Sequence, residues 1–298
     1  MQSFLSRLMP LVITIRGGKR RYRSAEATLA HITRLAAHPV NSAPPGSLAR
    51  SVDVTRMKIA GWHVYVVSPR GAATAKRGLY LHGGSYVYEI APQHWTLVAD
   101  LVASAGIAIT VPIFPLAPVE TAATMVPKAA DLAQTLVAEV GADNVMLLGD
   151  SAGGGMALAV SMLMRDRGVA PLQGAILIAP WLDISGSDPE LTRLDARDPW
   201  LAVPGSVAAG DLYRGELPNT DPLVSPINGS LDGLGPLTVF SGTRDILNAD
   251  AHRLNEKATA AGHPLDFHEV PEMIHNYPLL PIPEARAARD VMRRAIAG

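Results

Sequence analysis

Ser151 stands in Gly149-Asp150-Ser151-Ala152-Gly153, directly after the apolar run Val145-Met146-Leu147-Leu148 and before a small-residue stretch that reads as a helix. A serine on such a strand-turn-helix elbow is a nucleophile displayed at the end of a sheet. The turn is strained, and a side chain on either flanking residue would collide with neighbouring backbone, so glycine is needed on both sides. The plainer reading is a glycine-rich turn carrying a solvent-facing serine.

A serine hydroxyl needs a base, and the base needs an acid to orient it. In an elbow architecture these follow the serine in the order acid, then histidine. Asp245 comes just after the apolar run 237–241, in Gly242-Thr243-Arg244-Asp245, and His275 follows the run 265–270 by a short loop, in Pro271-Glu272-Met273-Ile274-His275. Both therefore fall at the carboxyl ends of strands, where open α/β sheets bind ligands. Asp250 and His252 fall inside a helical pattern, His263 ends it and His268 lies within a strand, so each reads as a packing or surface residue.

A second signal lies upstream, where Leu79-Tyr80-Leu81 leads into His82-Gly83-Gly84-Ser85-Tyr86. Glycine amides beyond a strand can face a developing oxyanion, and the N–H groups of Gly83, Gly84 and Ala152 are the expected donors, at about 3 Å. Asp150, beside the nucleophile, is expected to play a structural hydrogen-bonding role.

These groups must be positioned by elements, and the sequence supplies them. Strand-like runs at 53–59, 62–67, 78–81, 107–113, 144–148, 174–178, 237–241 and 265–270 alternate with helical patterns at 92–105, 124–139, 154–167, 250–261 and 283–296. That is the βαβ rhythm of a mostly parallel sheet. The first two runs, separated by Ala60 and Gly61, alternate polar with apolar as an antiparallel hairpin does, whereas the later ones are continuously apolar, as in strands covered on both faces. A further helix is predicted over 24–37, with Ser24 as N-cap. About 55 residues separate the runs ending near Ala179 and beginning at Leu237; a structureless loop that long is improbable, so short helices forming a lid are expected there.

Composition narrows the chemistry. The 298 residues are 48% hydrophobic, with 26 Lys+Arg against 27 Asp+Glu, which fits a globular core and neither a disordered chain nor a basic nucleic-acid binder. The chain has no cysteine, which removes disulfides, thiolate metal sites and a thiol nucleophile. Residues 1–23 hold Arg7, Arg16, Lys19, Arg20, Arg21 and Arg23 and no acid. The nearby apolar stretch is too short to cross a bilayer, which takes about 20 residues. It is followed by glycines and basic residues instead of a small-residue cleavage site, so a cytoplasmic location is expected. Phe4, Leu5, Leu8, Leu11 and Val12 recur at roughly helical spacing, so this head is either a helix packed on its own protein or one that touches an anionic membrane surface.

Together the His-Gly-Gly motif, the Gly-Asp-Ser-Ala-Gly-Gly elbow, Asp221-Pro222-Leu223-Val224-Ser225-Pro226, Asp245 and His275 resemble the hormone-sensitive-lipase-like group of α/β-hydrolases, chiefly bacterial carboxylesterases and acetyl hydrolases. The resemblance runs from about residue 53 to the end. It implies the α/β-hydrolase fold, an eight-stranded mostly parallel sheet with a helical cap built from residues 1–50 and 182–231. It departs from the group's pattern at Ser85, where a third glycine is common, and at Phe114-Pro115-Leu116-Ala117-Pro118-Val119-Glu120, where a Tyr-Arg-Leu-Ala-Pro-Glu run is common.

The activity so implied is hydrolysis of short acyl esters, acetyl to about hexanoyl, through an acyl-enzyme on Ser151, with His275 as base and Asp245 orienting it. No metal and no cofactor is expected, the partner being a small-molecule ester, and the resemblance extends to a homodimer. Tyr86, Trp181, Trp200 and Tyr213 are candidate pocket walls. Two other readings stay open: the same triad acting on an amide, formamide or lactone, and a non-catalytic hydrolase fold that binds a small ligand.

Overall fold

The computed structural model describes residues 2–38 and 40–298. Each apolar run forms a strand: β1 (Val52–Ile59), β2 (Trp62–Pro69), β3 (Arg77–Leu81), β4 (Ala108–Ile113), β5 (Val145–Asp150), β6 (Gly174–Ile178), β7 (Leu237–Arg244) and β8 (Leu265–Ile274). They make one eight-stranded sheet in the order β1-β2-β4-β3-β5-β6-β7-β8. The β1–β2 and β2–β4 pairs are antiparallel and the rest parallel. Ala60 and Gly61 both take positive φ, 48° and 88°, as the two central residues of a tight hairpin turn must.

The central strands are apolar without interruption because each feeds two cores. Val145 and Leu147 of β5 join one buried cluster, and Met146 and Leu148 the other. Successive side chains leave a strand on opposite faces, so a strand covered on both sides has no solvent-facing position to fill with polar residues. The helices are α1 (Phe4–Ile15), α2 (Gly18–Tyr22), α3 (Ala25–Ala37), α4 (Pro92–Ala105), α5 (Ala122–Val140), α6 (Ala152–Asp166), α7 (Leu191–Asp195), α8 (Val203–Arg214), α9 (Asn248–Ala261) and α10 (Pro283–Ala297). Helices α5, α6 and α9 cover the first face, and α4 and α10 the second.

The amino-terminal helices and the insertion between β6 and β7 pack on each other. Ser24 caps α3, its Oγ accepting the Ala27 N–H at 3.2 Å. Helices α2 and α3 lie against α8, and Gly205 permits an approach so close that a Cβ there would overlap both Tyr22 and Thr28. Helix α1 is pinned to the start of α10: Glu284 accepts the Ser3 N–H at 2.6 Å, the Ser3 hydroxyl at 2.9 Å and the Ser6 hydroxyl at 3.0 Å. No described helix is long and apolar enough to cross a membrane.

Candidate active site

Ser151 lies between β5 and α6 with φ 53° and ψ −123°, a conformation that L-residues hold only when their surroundings impose it. Three hydrogen bonds impose it here. The Ser151 N–H donates to the Ile178 carbonyl at 2.8 Å, and the Ser151 carbonyl accepts from Trp181 at 2.9 Å and Gly155 at 3.1 Å. The flanking glycines are required sterically: a Cβ on Gly149 would overlap the Gly153 carbonyl, and one on Gly153 the Leu81 carbonyl.

Asp245 follows β7 and His275 follows β8, and parallel pairing of those strands brings the two loops together. His275 Nδ1 lies 2.7 Å from Asp245 Oδ2, with the residues 4% and 0% exposed. Burial opposes protonation of His275, but the charge and hydrogen bond of Asp245, aided by the charges of Asp198 and Asp150, outweigh it and raise the imidazole above its ordinary value. With Nδ1 committed to Asp245, Nε2 is the nitrogen free to exchange a proton.

The loop after β3 is organised by Asp150. Its carboxylate accepts from Tyr80 Oη at 2.6 Å, the Gly83 N–H at 2.9 Å, His94 Nε2 at 3.2 Å and Asn276 Nδ2 at 2.6 Å. The tautomer of His94 follows from its other nitrogen: Nδ1 accepts the Ala91 N–H at 2.8 Å, so Nε2 carries the hydrogen. Burial alone would raise the Asp150 carboxyl, yet the His94, Tyr80 and Gly83 interactions hold it down at about 2. The sequence left the part played by Asp150 unassigned beyond hydrogen bonding; the fold makes it the shared acceptor of the β3 loop and the residue after His275.

This corrects the expectation for Gly83. Its N–H is taken by Asp150 and is not available to a substrate. Among the described residues, nothing accepts the N–H of Gly84 or of Ser85. Ala152 opens α6, so its N–H has no intrahelical acceptor either. Gly84 and Ser85 sit at φ 125° and 52°, turning the chain sharply, and the Ser85 hydroxyl lies 2.8 Å from Tyr22 Oη of α2. Serine in place of a third glycine thus ties this loop to the amino-terminal helices.

A cavity of about 560 Å³ reaches Ser151, His275, Gly84, Ser85 and Trp200, walled on its far side by Met9, Val12 and Ile13 of α1. Of the four aromatic residues expected at a pocket wall, Trp200 lines it, meeting His275 edge-on at 5.6 Å between ring centroids. The other three do not line this cavity. Tyr86 stacks on Tyr213 at 3.4 Å and on Trp181 at 5.7 Å, all three buried. Tyr86 reaches the first turn of α6, where a Cβ on Gly155 would come 3.2 Å from its Oη.

Sequence reasoning missed Asp198. This aspartate, 2% exposed, accepts the N–H groups of Trp200 at 2.7 Å and Leu201 at 2.9 Å on Oδ1, and that of Ile246 at 2.9 Å on Oδ2. Burial, reinforced by the charge of Asp245, pushes its carboxyl up to about 7. One signal was present: an aspartate followed by proline, in Asp198-Pro199-Trp200, reads as a turn in which the side chain accepts an N–H two residues on. Among the described residues no group of three or more His, Asp or Glu is placed to hold a metal ion.

A sheet of this order, with a positive-φ serine after β5 and an Asp–His pair after β7 and β8, is the arrangement of an α/β hydrolase. A family profile of the alpha/beta hydrolase fold matches residues 78–279. An acetyl-hydrolase from Streptomyces hygroscopicus is 34% identical over 219 residues, 72% of each chain. A triacylglycerol lipase from Mycobacterium tuberculosis is 33% identical over 244 residues, 80% of this chain and 51% of the lipase, so the chain spans about half that relative's length. Among solved structures, an esterase from the bacterial hormone-sensitive lipase family superposes with a TM-score of 0.83 at 25% identity, over 100% of this chain and 98% of that one. The chain belongs to the alpha/beta hydrolase fold family, in its hormone-sensitive-lipase-like group.

Proposed function

We propose that this protein is a serine carboxylesterase that cleaves short acyl esters through an acyl-enzyme. The observation that carries the reading is the His275–Asp245 pair at 2.7 Å, opening onto the same cavity as the strained Ser151. The names of the acetyl-hydrolase and triacylglycerol lipase relatives support ester hydrolysis as the reaction class.

Ser151 Oγ attacks the ester carbonyl while His275 Nε2 takes its proton, and Asp245 holds the imidazole in the tautomer that can accept it. The carbonyl oxygen becomes an oxyanion, held by the N–H groups of Gly84, Ser85 and Ala152, with the amino-terminal end of α6 adding its positive dipole end. Collapse expels the alcohol, which leaves with the proton from His275. Water, deprotonated by the same imidazole, then releases the acid and restores Ser151.

The packing supports a short acyl chain and a larger alcohol. Tyr86, backed by the Tyr213 and Trp181 rings, occupies the space beside Gly155 of α6, whereas the roughly 560 Å³ cavity extends toward α1 and α2. Hydrolysis of p-nitrophenyl acetate, butyrate, hexanoate and octanoate, beside matched anilides, tests the reading. Esters should be cleaved faster than anilides, with rates falling beyond hexanoate, and Ser151→Ala should lose at least about 10⁴-fold in kcat. Activity that survives in Ser151→Ala would overturn it.

A further inference from the structure

Helix α1 carries two apolar faces. Met9, Val12 and Ile13 wall the cavity, while Phe4, Leu8, Leu11 and Ile15 form a second stripe whose centre lies about 120° away around the helix axis. Their spacing of four, three and four residues confines them to an arc of roughly 60° on the helix. All are solvent-exposed, Phe4 and Ile15 at 75% and Leu11 at 57%, and Leu5 beside them is 51% exposed. A helix that leaves a contiguous apolar stripe exposed carries an interaction face. This one is also fixed in place, because Glu284 clamps Ser3 and Ser6 at its start.

The charges around the stripe identify what covers it. Arg7, Arg20 and Arg23 are exposed, lie outside the cavity lining and form no ion pair among the described residues, and no acidic residue precedes Glu26. A symmetric dimer through this face would set these arginines against their own copies, since a two-fold interface pairs a patch with itself. An anionic lipid surface offers the opposite: hydrocarbon for the stripe and negative headgroups for the arginines.

We propose that α1 and the basic segment after it dock this protein onto anionic lipid, with Phe4, Leu8, Leu11 and Ile15 seated at the boundary between headgroups and acyl chains. Because another face of α1 walls the cavity, docking sets that cavity close to the bilayer. The proposal is independent of the reaction assigned to Ser151.

The test is co-sedimentation with vesicles of phosphatidylcholine alone and of phosphatidylcholine mixed equally with phosphatidylglycerol. Wild-type protein should partition onto the anionic vesicles and leave them as salt is raised. L8Q/L11Q/I15Q should lower that partition by at least about tenfold, since each change removes a buried apolar side chain. R7Q/R20Q/R23Q should weaken it and flatten its salt dependence. Both variants should keep the wild-type thermal melt and p-nitrophenyl butyrate rate, as none of the six residues lines the cavity. Absence of wild-type binding, or equal binding by wild type and both variants, overturns the proposal. So does a wild-type dimer in light scattering that becomes monomeric in L8Q/L11Q/I15Q, because the stripe would then be an interface between two copies.

Discussion

Asp198 Oδ2 accepts the Ile246 N–H at 2.9 Å, joining the loop before α8 to the residue next to Asp245. The other oxygen of Asp198 holds Trp200, whose ring meets His275 edge-on. Asp198 is therefore a positioning residue that reaches the base from two directions. Asp198→Ala leaves three buried N–H groups without an acceptor and should lower kcat/KM by about 10- to 100-fold. Asp198→Asn should recover part of that loss and still move the acid limb of the pH profile downward, because the Asp198 charge helps raise His275. A limb unmoved in Asp198→Asn would show that Asp198 does not act on the imidazole.

The pH profile of the wild-type enzyme has a defined direction. With His275 as the proposed base, catalysis would need its neutral form, and its pKa lies above the ordinary 6.5, so kcat/KM should fall on the acid side with a midpoint above that value. Asp245→Asn should bring the midpoint down and reduce kcat by about 10⁴-fold, since the wrong tautomer is then favoured. A wild-type midpoint below 6.5 would contradict the His275–Asp245 assignment.

Asp150 makes stability depend on acid. Its folded pKa of about 2 lies below the ordinary 3.8, so its contribution is present above 3.8 and lost as pH falls toward 2. That span corresponds to about 2 kcal/mol. Urea melts recorded between pH 5 and pH 2 should show this loss in the wild type and not in Asp150→Asn. The variant should also be less stable at neutral pH, because its amide NH₂ faces donors that the carboxylate accepted.

Tyr213 sets acyl length if the three-ring stack bounds the acyl side. Tyr213→Ala removes the ring packed on Tyr86 and should shift the preferred p-nitrophenyl ester from acetate or butyrate toward octanoate. The measurement is kcat/KM against chain length for both proteins. An unchanged order of preference would place the acyl group elsewhere.

The eight strands and the elbow were legible because their causes are local. A strand buried on both faces writes itself as an unbroken apolar run, and Gly149 and Gly153 flank Ser151 because backbone would collide with any Cβ there. What stayed hidden depends on partners distant in the chain. Gly83 reads like a free amide until Asp150, 67 positions later, is seen to accept its N–H. Tyr86, Tyr213 and Trp181 look like walls of the cavity by type, and only the fold shows Tyr213 and Trp181 stacked on Tyr86, outside the lining of the cavity that reaches Ser151. Asp198 accepts only backbone N–H groups, which carry no residue identity for a sequence to display.

The hydrogen bond between Tyr22 Oη and Ser85 Oγ ties the loop after β3 to a segment far ahead of it in the chain. The family match begins at residue 78, yet the loop holding Gly84 and Ser85 is tethered to Tyr22, which lies 56 positions before that start. Trimming the chain to its sheet would remove the tether along with the helices that wall the cavity. Grafting a different amino-terminal segment onto this sheet would require a new partner for Ser85.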